Sequence, residues 1–430
     1  MRNGRPRSNI IVMAVTSGLN VGAMMMWAPV LSLHLRDLGA TDLIIGVATA
    51  SWLVLAAAGQ FAGGRLSDQL GRVPTISWPG IIQAVAIILC SLAPSWPSFV
   101  VLYALYYGGH AIQGPVFSSV VGESVPPAER GRAFGRVELA IGLGVISGPL
   151  IGSVLMPVLG IRWLLGISGV LFALAAVLRL TFLVETKPAT TAAASFAPRQ
   201  VLRQPLVWVL AVLVGFNSLL ALTLWGPFIS LHATDAMGLS RPAINQLAAA
   251  GSAFGILMSI VAGNAVSRWG FVPVLRVGLP GLAGLAVLWS LQRTVPAIVG
   301  TYMLMYAAFQ LAMISSDTFK ISALPDETRG RALGTIGMSS SLLTAPMVPV
   351  ASWLRSVWGS GAPFVVALVP ATIGLVSLTI WQRQQVTAVT TAPPTPAGEG
   401  PGGLAAQNEP VPSGRAQVTD DGGRSTWQQT

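Results

Sequence analysis

Long apolar segments recur along almost the whole of this 430-residue chain. Each is about 20 residues long, the length that a helix needs to cross a hydrocarbon core about 30 Å thick. The sequence therefore predicts an all-α integral membrane protein with twelve transmembrane helices. The predicted helices are residues 10–33, 43–62, 74–93, 98–121, 137–159, 163–184, 206–230, 243–267, 273–291, 296–318, 333–354 and 363–382.

Few residues of the chain are charged. Hydrophobic residues make up 53% of the sequence and charged residues 9%, whereas a soluble protein contains roughly 25% charged residues. The first apolar segment follows Arg2, Arg5 and Arg7 as a signal peptide would, but it is too long and lacks a convincing small-x-small cleavage site. We therefore expect it to remain as the first helix.

The basic residues lie mainly on one side of the predicted membrane. With the N-terminus inside, 17 Lys and Arg residues fall in cytoplasmic segments and five fall in outside loops. The positive-inside rule therefore places both termini in the cytoplasm of a multi-pass protein of the cell inner (plasma) membrane. The net charge of +10 follows from this topology and does not predict a nucleic-acid partner.

The sequence lacks the usual signatures of catalytic and cofactor sites. Cys90 is its single cysteine, which excludes an internal disulfide and a multi-cysteine metal site, and the three His residues are far apart. No G-x-x-x-x-G-K-[ST] phosphate loop and no nucleophile constellation is present. We therefore expect no cofactor, no metal and no enzymatic activity, and ATP-driven transport is disfavoured.

Three sequence signatures occur twice at a nearly constant spacing. WAPVLSLH at 27–34 returns 198 residues later as WGPFISLH, and PPAERGRAFG at 126–135 returns 199 residues later as PDETRGRALG. Gly64 and Gly71 return as Gly263 and Gly270. These repeats predict two pseudo-symmetric six-helix bundles. The predicted domains are the two halves 1–184 and 205–383, a cytoplasmic linker at 185–204, and a disordered cytoplasmic tail at 384–430 that is rich in Pro and Gly.

A short hydrophilic loop, GGRLSDQLGRVPTI at 63–76, separates the second and third apolar segments. It resembles the G-x-L-x-D-r-x-G-r-r signature of the major facilitator superfamily of transporters, with departures at Gln69 and Val73. The matching residues are Gly64, Leu66, Asp68, Gly71 and Arg72. A solvated connector is the alternative interpretation.

The resemblance implies a role for this loop in changes of conformation. Transporters of this superfamily have a substrate site near the bilayer midplane, between two halves. By the same resemblance, Asp68 faces the N-terminal end of the eleventh helix when the cytoplasmic side is closed. Ser267 stands in place of this aspartate in the second half, so the charged gate is expected in the first half alone.

The fifth apolar segment has a glycine at every fourth position, and such a face permits close helix approach. The segment resembles the fifth-helix motif of proton-coupled drug exporters in the same superfamily. The motif residues are Gly144, Gly148, Pro149 and Gly152. The eighth segment has a similar face, formed by Gly251, Gly255, Ser259 and Gly263. We therefore expect these two helices to pack across the boundary between the halves, and generic tight packing is the alternative.

Isolated polar residues in the apolar segments are candidates for a substrate cavity, because polar groups inside a membrane tend to face one. On the fourth segment, Tyr103, Tyr107, His110, Gln113 and Phe117 share one helical face. By resemblance, the first, fourth, seventh and tenth helices line the central cavity. The candidate cavity residues are Asn20, Trp27, Tyr103, Tyr107, His110, Gln113, Asn217 and Gln310.

Two titratable residues on these helices are candidates for proton coupling. His110 and Gln113 fall on the R-x-x-Q-G motif of exporters, with His in place of Arg, and a histidine can change its charge near neutral pH. A buried structural histidine is the alternative for His110. Asp317 shares a helical face with Gln310 but lies three residues before Lys320, so an interfacial ion pair is the alternative there.

These features together predict a secondary transporter, specifically proton-coupled efflux of small, partly apolar organic molecules by alternating access. The expected partners are that small-molecule substrate, the proton and the lipid bilayer, and we expect the protein to be monomeric. A metabolite importer or uniporter of the same fold is an alternative function. A non-transporting membrane scaffold or sensor is another, but such a protein has no reason to retain the charged loop.

Overall fold

The computed structural model of the protein describes residues 8–187, 206–323 and 329–391, which are helical apart from turns and short connections. The predicted all-α fold is confirmed. The α-helices of the described residues are α1 (Ser8–Met25), α2 (Leu31–Asp37), α3 (Asp42–Leu70), α4 (Arg72–Leu92), α5 (Trp96–Glu123), α6 (Arg130–Phe182), α7 (Leu206–Leu222), α8 (Phe228–Asp235), α9 (Arg241–Trp269), α10 (Phe271–Ser290), α11 (Val295–Ser322), α12 (Arg329–Thr344), α13 (Met347–Trp358), α14 (Ala362–Val366) and α15 (Leu368–Thr391).

The surface of these helices is suited to lipid. Within the described residues, eight helical segments are long and apolar enough to cross a membrane, judged by length and composition. Many large apolar side chains are exposed, among them Val101, Val154 and Val158. An apolar surface of this extent is unfavourable in water and favourable against acyl chains. The chain is therefore a multi-pass membrane protein.

Several predicted membrane segments are broken or joined in the structure. The first is divided into α1 and α2 near Pro29, and the seventh into α7 and α8 near Pro227. Proline has no backbone N–H and cannot continue the hydrogen-bond ladder of a helix, which explains these breaks. The fifth and sixth segments are joined in α6, which is interrupted at Gly160, where φ is 76°.

Helix boundaries repeat with the spacing of the sequence signatures. α3 and α9 each have 29 residues and begin 199 positions apart, and α5 and α11 each have 28 residues with the same offset. Positive φ angles in the described ranges occur at six glycines, and these form three pairs at the same offset. The pairs are Gly39 with Gly238, Gly71 with Gly270, and Gly160 with Gly359. Because a Cβ disfavours such angles, the same turns require glycine in both parts of the chain.

Helix packing within residues 8–187 centres on α6, which contacts both α1 and α4. In the later part of the chain, α11 packs between α9 and α10. The two parts meet where α6 contacts α9 and where α3 contacts α12 and α13. The predicted linker beyond residue 187 and the predicted tail beyond residue 391 lie outside the described residues. α15 extends to Thr391, past the predicted start of the tail at residue 384.

The expected packing of α6 against α9 is present, but the glycines of the fifth-helix motif mainly face α1. A Cβ placed on Gly144 would lie 2.5 Å from the carbonyl oxygen of Gly18, and Gly148 is equally close to that of Gly22. Gly255 of α9 instead makes room for the ring of Tyr306 on α11. A small residue permits close approach by any neighbour, so its spacing alone does not identify which helix approaches.

Candidate functional site

A cavity of about 180 Å³ lies among α1, α4, α5 and α6, and its wall is built by residues of the first half of the chain. Many residues of this wall are polar, which is unusual among apolar helices because polar side chains in a membrane are costly. The polar lining residues are Ser17, Asn20, Gln83, Tyr106, His110, Gln113 and Arg179. The remaining lining residues are Val21, Met24, Ile76, Gly114, Phe117, Ile141 and Phe172.

Three of the predicted cavity residues, Asn20, His110 and Gln113, line this cavity. His110 is exposed to it, and its ring centroid is 6.3 Å from that of Tyr106. Gln113 donates its Nε2–H to the carbonyl oxygen of Ile76 at 2.9 Å, which ties α5 to α4. Sequence periodicity thus located the cavity-facing part of α5.

The structure places other predicted cavity residues in an aromatic core. Trp27 is fully buried and donates Nε1–H to Ser168 Oγ at 3.0 Å. Tyr103 is also buried, with its ring centroid 4.3 Å from that of Trp52, and Tyr107 packs half-buried beside the same tryptophan. The cavity face of α5 therefore consists of Tyr106, His110, Gln113, Gly114 and Phe117.

Asn217 and Gln310 are not among the residues that line this cavity. Asn217 on α7 donates its Nδ2–H to Ser340 Oγ on α12. Gln310 on α11 donates Nε2–H to the carbonyl oxygen of Gly255 at 2.8 Å. Both side chains therefore hold neighbouring helices of the second half together.

Arg179 on α6 is a buried cation of the cavity wall that sequence reasoning missed. Its side chain is almost fully buried, with the residue 3% exposed, and its Nε–H donates to Thr16 Oγ1 at 2.9 Å. Its Nη1 and Nη2 donate to Gln113 Oε1 at 3.3 Å and Ser17 Oγ at 3.4 Å. The signal was present in the sequence, since an arginine inside the sixth apolar segment is costly unless it faces a partner or a cavity.

Residues 63–76, predicted as a loop, are helical in the structure except at Gly71. This segment, still called the gate loop, is organised around Arg72. Its Nη1–H donates to Asp68 Oδ1 at 2.9 Å, as the sequence spacing permits. Glu123 at the end of α5 accepts from Nη2 at 2.9 Å and from Nε at 3.2 Å. Gly71 has φ 101°, which allows α4 to begin directly after α3. Glu123 is distant in sequence from the loop, so its role was not predictable from the motif.

A second carboxylate outside the motif supports the same loop. Glu185 accepts hydrogen bonds from the backbone N–H groups of Arg72 and Val73, at 2.8 Å and 3.1 Å. These N–H groups are at the N-terminus of α4, where a helix dipole favours an anion. The close helix approach beside the loop occurs at Gly63, which contacts Ile112 of α5, whereas Gly64 has open space around it. Leu66 is half-buried.

A second charge cluster lies at the opposite end of α3, and we call it the Asp42 cluster. Arg36 of α2 pairs with Asp42 at 2.9 Å and with Asp235 of α8 at 2.7 Å. Arg355 of α13 pairs with Asp42 at 2.8 Å and also with Asp235. These contacts join the two parts of the chain at the end predicted to face outside. No local sequence pattern predicts this cluster, because its members come from four separate helices.

The structure places Asp317, the second candidate for proton coupling, in an ion pair with Lys320, 2.6 Å away near the C-terminus of α11. Half of the Asp317 side chain is exposed. It is not among the residues that line the described cavity. Its surroundings fit the interfacial ion pair that its sequence spacing allowed.

The sequence matches the model of the Major Facilitator Superfamily over residues 13–316. It is 26% identical over 163 residues to Multidrug resistance protein 3 of Bacillus subtilis (strain 168), covering 37% of this chain and 32% of that protein. It is 25% identical over 289 residues to the Chloramphenicol resistance protein of Pseudomonas aeruginosa, covering 63% of this chain and 66% of that protein. The matches therefore span less than two thirds of each relative, and they confirm the resemblance to the drug-efflux branch.

Solved structures share the fold. The nucleoside transporter NupG superposes with a TM-score of 0.72 at 15% identity, covering 87% of this chain and 99% of that one. A D-xylose-proton symporter superposes with a TM-score of 0.67 at 17% identity, covering 87% and 97%. Because the family match covers more than half of the sequence, the chain belongs to the Major Facilitator Superfamily.

Proposed function

We propose that this protein is a secondary, proton-coupled exporter of small, partly apolar organic molecules. The observation that carries the proposal is the cavity, which combines polar and aromatic side chains within helices whose outer surfaces are apolar. The drug-resistance names of two relatives support export as the direction. His110 is exposed to the cavity and is the proposed proton carrier.

Alternating access is the proposed mechanism. The gate loop and the Asp42 cluster lie at opposite ends of α3, a helix of 29 residues that is about 44 Å long at 1.5 Å per residue. The ion pairs of the Asp42 cluster are formed in this structure, and in the proposed mechanism they hold their end of the protein closed. Opening that end would separate its ion pairs, so the cluster favours one of the two conformations.

The proposed architecture follows the internal repeat. Twelve transmembrane helices form two six-helix bundles, 1–184 and 205–383, which rock against each other. The linker at 185–204, the tail at 384–430 and both termini are on the cytoplasmic side of the inner membrane, and the protein acts as a monomer. Single cysteines on a Cys90-free background test the topology, since an impermeant maleimide should not label the gate loop in sealed right-side-out cells.

Purified protein in proteoliposomes tests the transport function. An antiporter moves its substrate toward the acidic side of the membrane, whichever way the protein is inserted. Labelled chloramphenicol, tetraphenylphosphonium and p-toluenesulfonate provide a neutral, a cationic and an anionic candidate. We expect at least one to accumulate only with an acidic lumen and only with protein present. Accumulation toward the alkaline side would identify a symporter instead, and absence of gradient-driven flux for all three would contradict the proposal.

A further inference from the structure

Arg179 brings a positive charge to the cavity wall without a negative charge beside it. Its three hydrogen-bond acceptors, Thr16, Ser17 and Gln113, are neutral. The lining residues include no Asp or Glu, and no carboxylate among the described residues lies within ion-pair distance of the guanidinium. The buried arginine at the external end is different, because Arg355 has two carboxylates as partners.

Because no described carboxylate lies beside Arg179, the burial of its charge is energetically costly. An arginine transferred from water to the membrane interior loses hydration, and neutral acceptors restore only part of that loss. Three hydrogen bonds to neutral oxygens explain how Arg179 is held in position between α1, α5 and α6. They do not neutralise its charge. An anion in the cavity would do so, and in this low-dielectric site the attraction is stronger than in water.

The side chain of Gln83 is a second polar group of the wall that is not fully satisfied. Gln83 on α4 is 2% exposed, and no described residue accepts a hydrogen bond from its buried Nε2. Both Gln83 and Arg179 line the cavity. A buried donor without an acceptor is unfavourable because it has lost its hydrogen bonds to water. An oxyanion is an acceptor with several lone pairs, so one anionic group could satisfy donors from two different helices.

The rest of the wall is suited to an apolar group. Tyr106, Phe117 and Phe172 supply aromatic rings, and Met24 supplies a flexible thioether. The cavity volume is about 180 Å³. A single aromatic ring with one charged substituent is of this size.

We infer that the cavity binds small organic anions, with the anionic group on Arg179 and Gln83 and the apolar group against the aromatic residues. The inference rests on the proposed transport function and specifies the charge of the substrate. It assigns to Arg179 the selection of anions over neutral and cationic molecules of the same shape.

Binding of three compounds of similar shape to the full-length protein in detergent tests the inference. They are p-toluenesulfonate, p-toluenesulfonamide and 4-methylbenzylamine, which are anionic, neutral and cationic at pH 7. Calorimetry should show that the wild type binds the sulfonate at least tenfold more tightly than the other two. Equal affinities for the sulfonate and the sulfonamide, or no detectable binding of the sulfonate, would overturn the inference without any variant.

Arg179→Gln retains hydrogen-bonding capacity but removes the charge. We expect it to lower sulfonate affinity at least ten times as much as it lowers sulfonamide affinity, while Arg179→Lys retains part of the preference. Arg162→Gln is the matched control, because Arg162 is also on α6 but donates to the Ala93 carbonyl oxygen away from the cavity. An anion preference that survives in a folded Arg179→Gln protein would overturn the role of Arg179. If that variant does not fold, Gln83→Leu provides the comparison. An unchanged sulfonate affinity in Gln83→Leu would overturn the binding of the anionic group by Gln83 together with Arg179.

The outcome of the transport experiment is separate from that of the binding experiment. Anion-selective binding without gradient-driven flux of any compound would retain the anion site and reject the exporter. Gradient-driven flux of chloramphenicol without anion-selective binding would retain the exporter and reject the anion site.

Discussion

Arg355 on α13 donates its Nε–H to Asp42 at the start of α3, 2.8 Å away across 313 residues of sequence. The Arg355 side chain is only 3% exposed, and it also pairs with Asp235. A buried guanidinium is stable mainly while its carboxylate partners remain in place. In the proposed alternating-access mechanism, the contact therefore belongs to the conformation in which this end of the protein is closed.

Loss of the Arg355 charge should increase the fraction of molecules in which the end at the Asp42 cluster is open. We expect Arg355→Gln to shift the equilibrium toward the open conformation at least tenfold, which corresponds to about 1.4 kcal/mol. The measurement is the rate at which an impermeant maleimide labels Ser230→Cys on a Cys90→Ser background. Ser230 is buried and its hydroxyl lies 2.6 Å from that of Ser32, so labelling requires separation of the two parts of the chain.

Arg241→Gln is the control for that experiment. The pair between Arg241 and Asp37 lies at the same end, but both side chains are substantially exposed to solvent. Exposed pairs contribute about 0–1 kcal/mol, so the control should change the labelling rate only slightly. Equal labelling rates in wild type and Arg355→Gln would show that the Asp42 cluster does not hold this end closed.

Gly148→Leu should destabilise the packing of α1 on α6. A side chain at this position would collide with the backbone of Gly22, and overpacking typically costs about 1–3 kcal/mol or more. We expect a lower melting temperature in detergent and reduced transport. Gly135→Leu on the same helix should change neither, because no atom lies within 4 Å of a Cβ placed there. A Gly148→Leu protein with normal melting temperature and transport would contradict the close approach of the two helices.

Helix class and internal repeat were predictable because they depend on patterns spread along the whole chain. Apolar segments of membrane length predict helices, and the paired turn glycines at an offset of 199 occur where the repeat predicts equivalent turns. Contacts between helices that are far apart in the sequence were harder to predict. The partner of Gly144 was assigned to the wrong helix, because the spacing of small residues does not encode which neighbour they meet.

In the candidate site too, local sequence patterns predicted some residues but not the contacts between distant parts of the chain. His110 and Gln113 were predicted from the pattern of α5, and both line the cavity. Trp27 is equally distinctive in sequence but is buried in the aromatic core, since burial depends on how the segment after α1 packs against α6. Glu123 and Glu185 join Arg72 from positions more than 50 residues away, so a local motif could not reveal them.

Asp68 and Glu123 should make different contributions at the gate loop. The Asp68 side chain is 57% exposed, so its pair with Arg72 contributes about 0–1 kcal/mol to stability. Asp68→Asn should therefore retain a normal melting temperature while slowing transport and increasing accessibility from the cytoplasmic side. Glu123→Gln should also lower the melting temperature, because the nearly buried guanidinium of Arg72 loses the carboxylate that accepts two of its hydrogen bonds.

Melting temperature, transport and cytoplasmic cysteine accessibility can be measured at matched protein levels. Ser267→Ala, at the uncharged equivalent of Asp68, is the control and should leave all three unchanged. Small and equal effects of Asp68→Asn and Ser267→Ala would show that the loop is a solvated connector. A larger loss of stability in Asp68→Asn than in Glu123→Gln would contradict the central role assigned to Glu123.

Proton coupling should depend on His110 more than on Asp317. His110 is the only described lining residue with an ordinary pKa near neutral pH, whereas Asp317 pairs with Lys320 away from the cavity. We expect His110→Gln to abolish substrate-driven proton movement, measured with pyranine inside proteoliposomes, because glutamine keeps hydrogen-bonding capacity but cannot carry a proton. Asp317→Asn should preserve it. Proton movement that persists in the double variant His110→Ala, Asp317→Asn would exclude both residues from coupling.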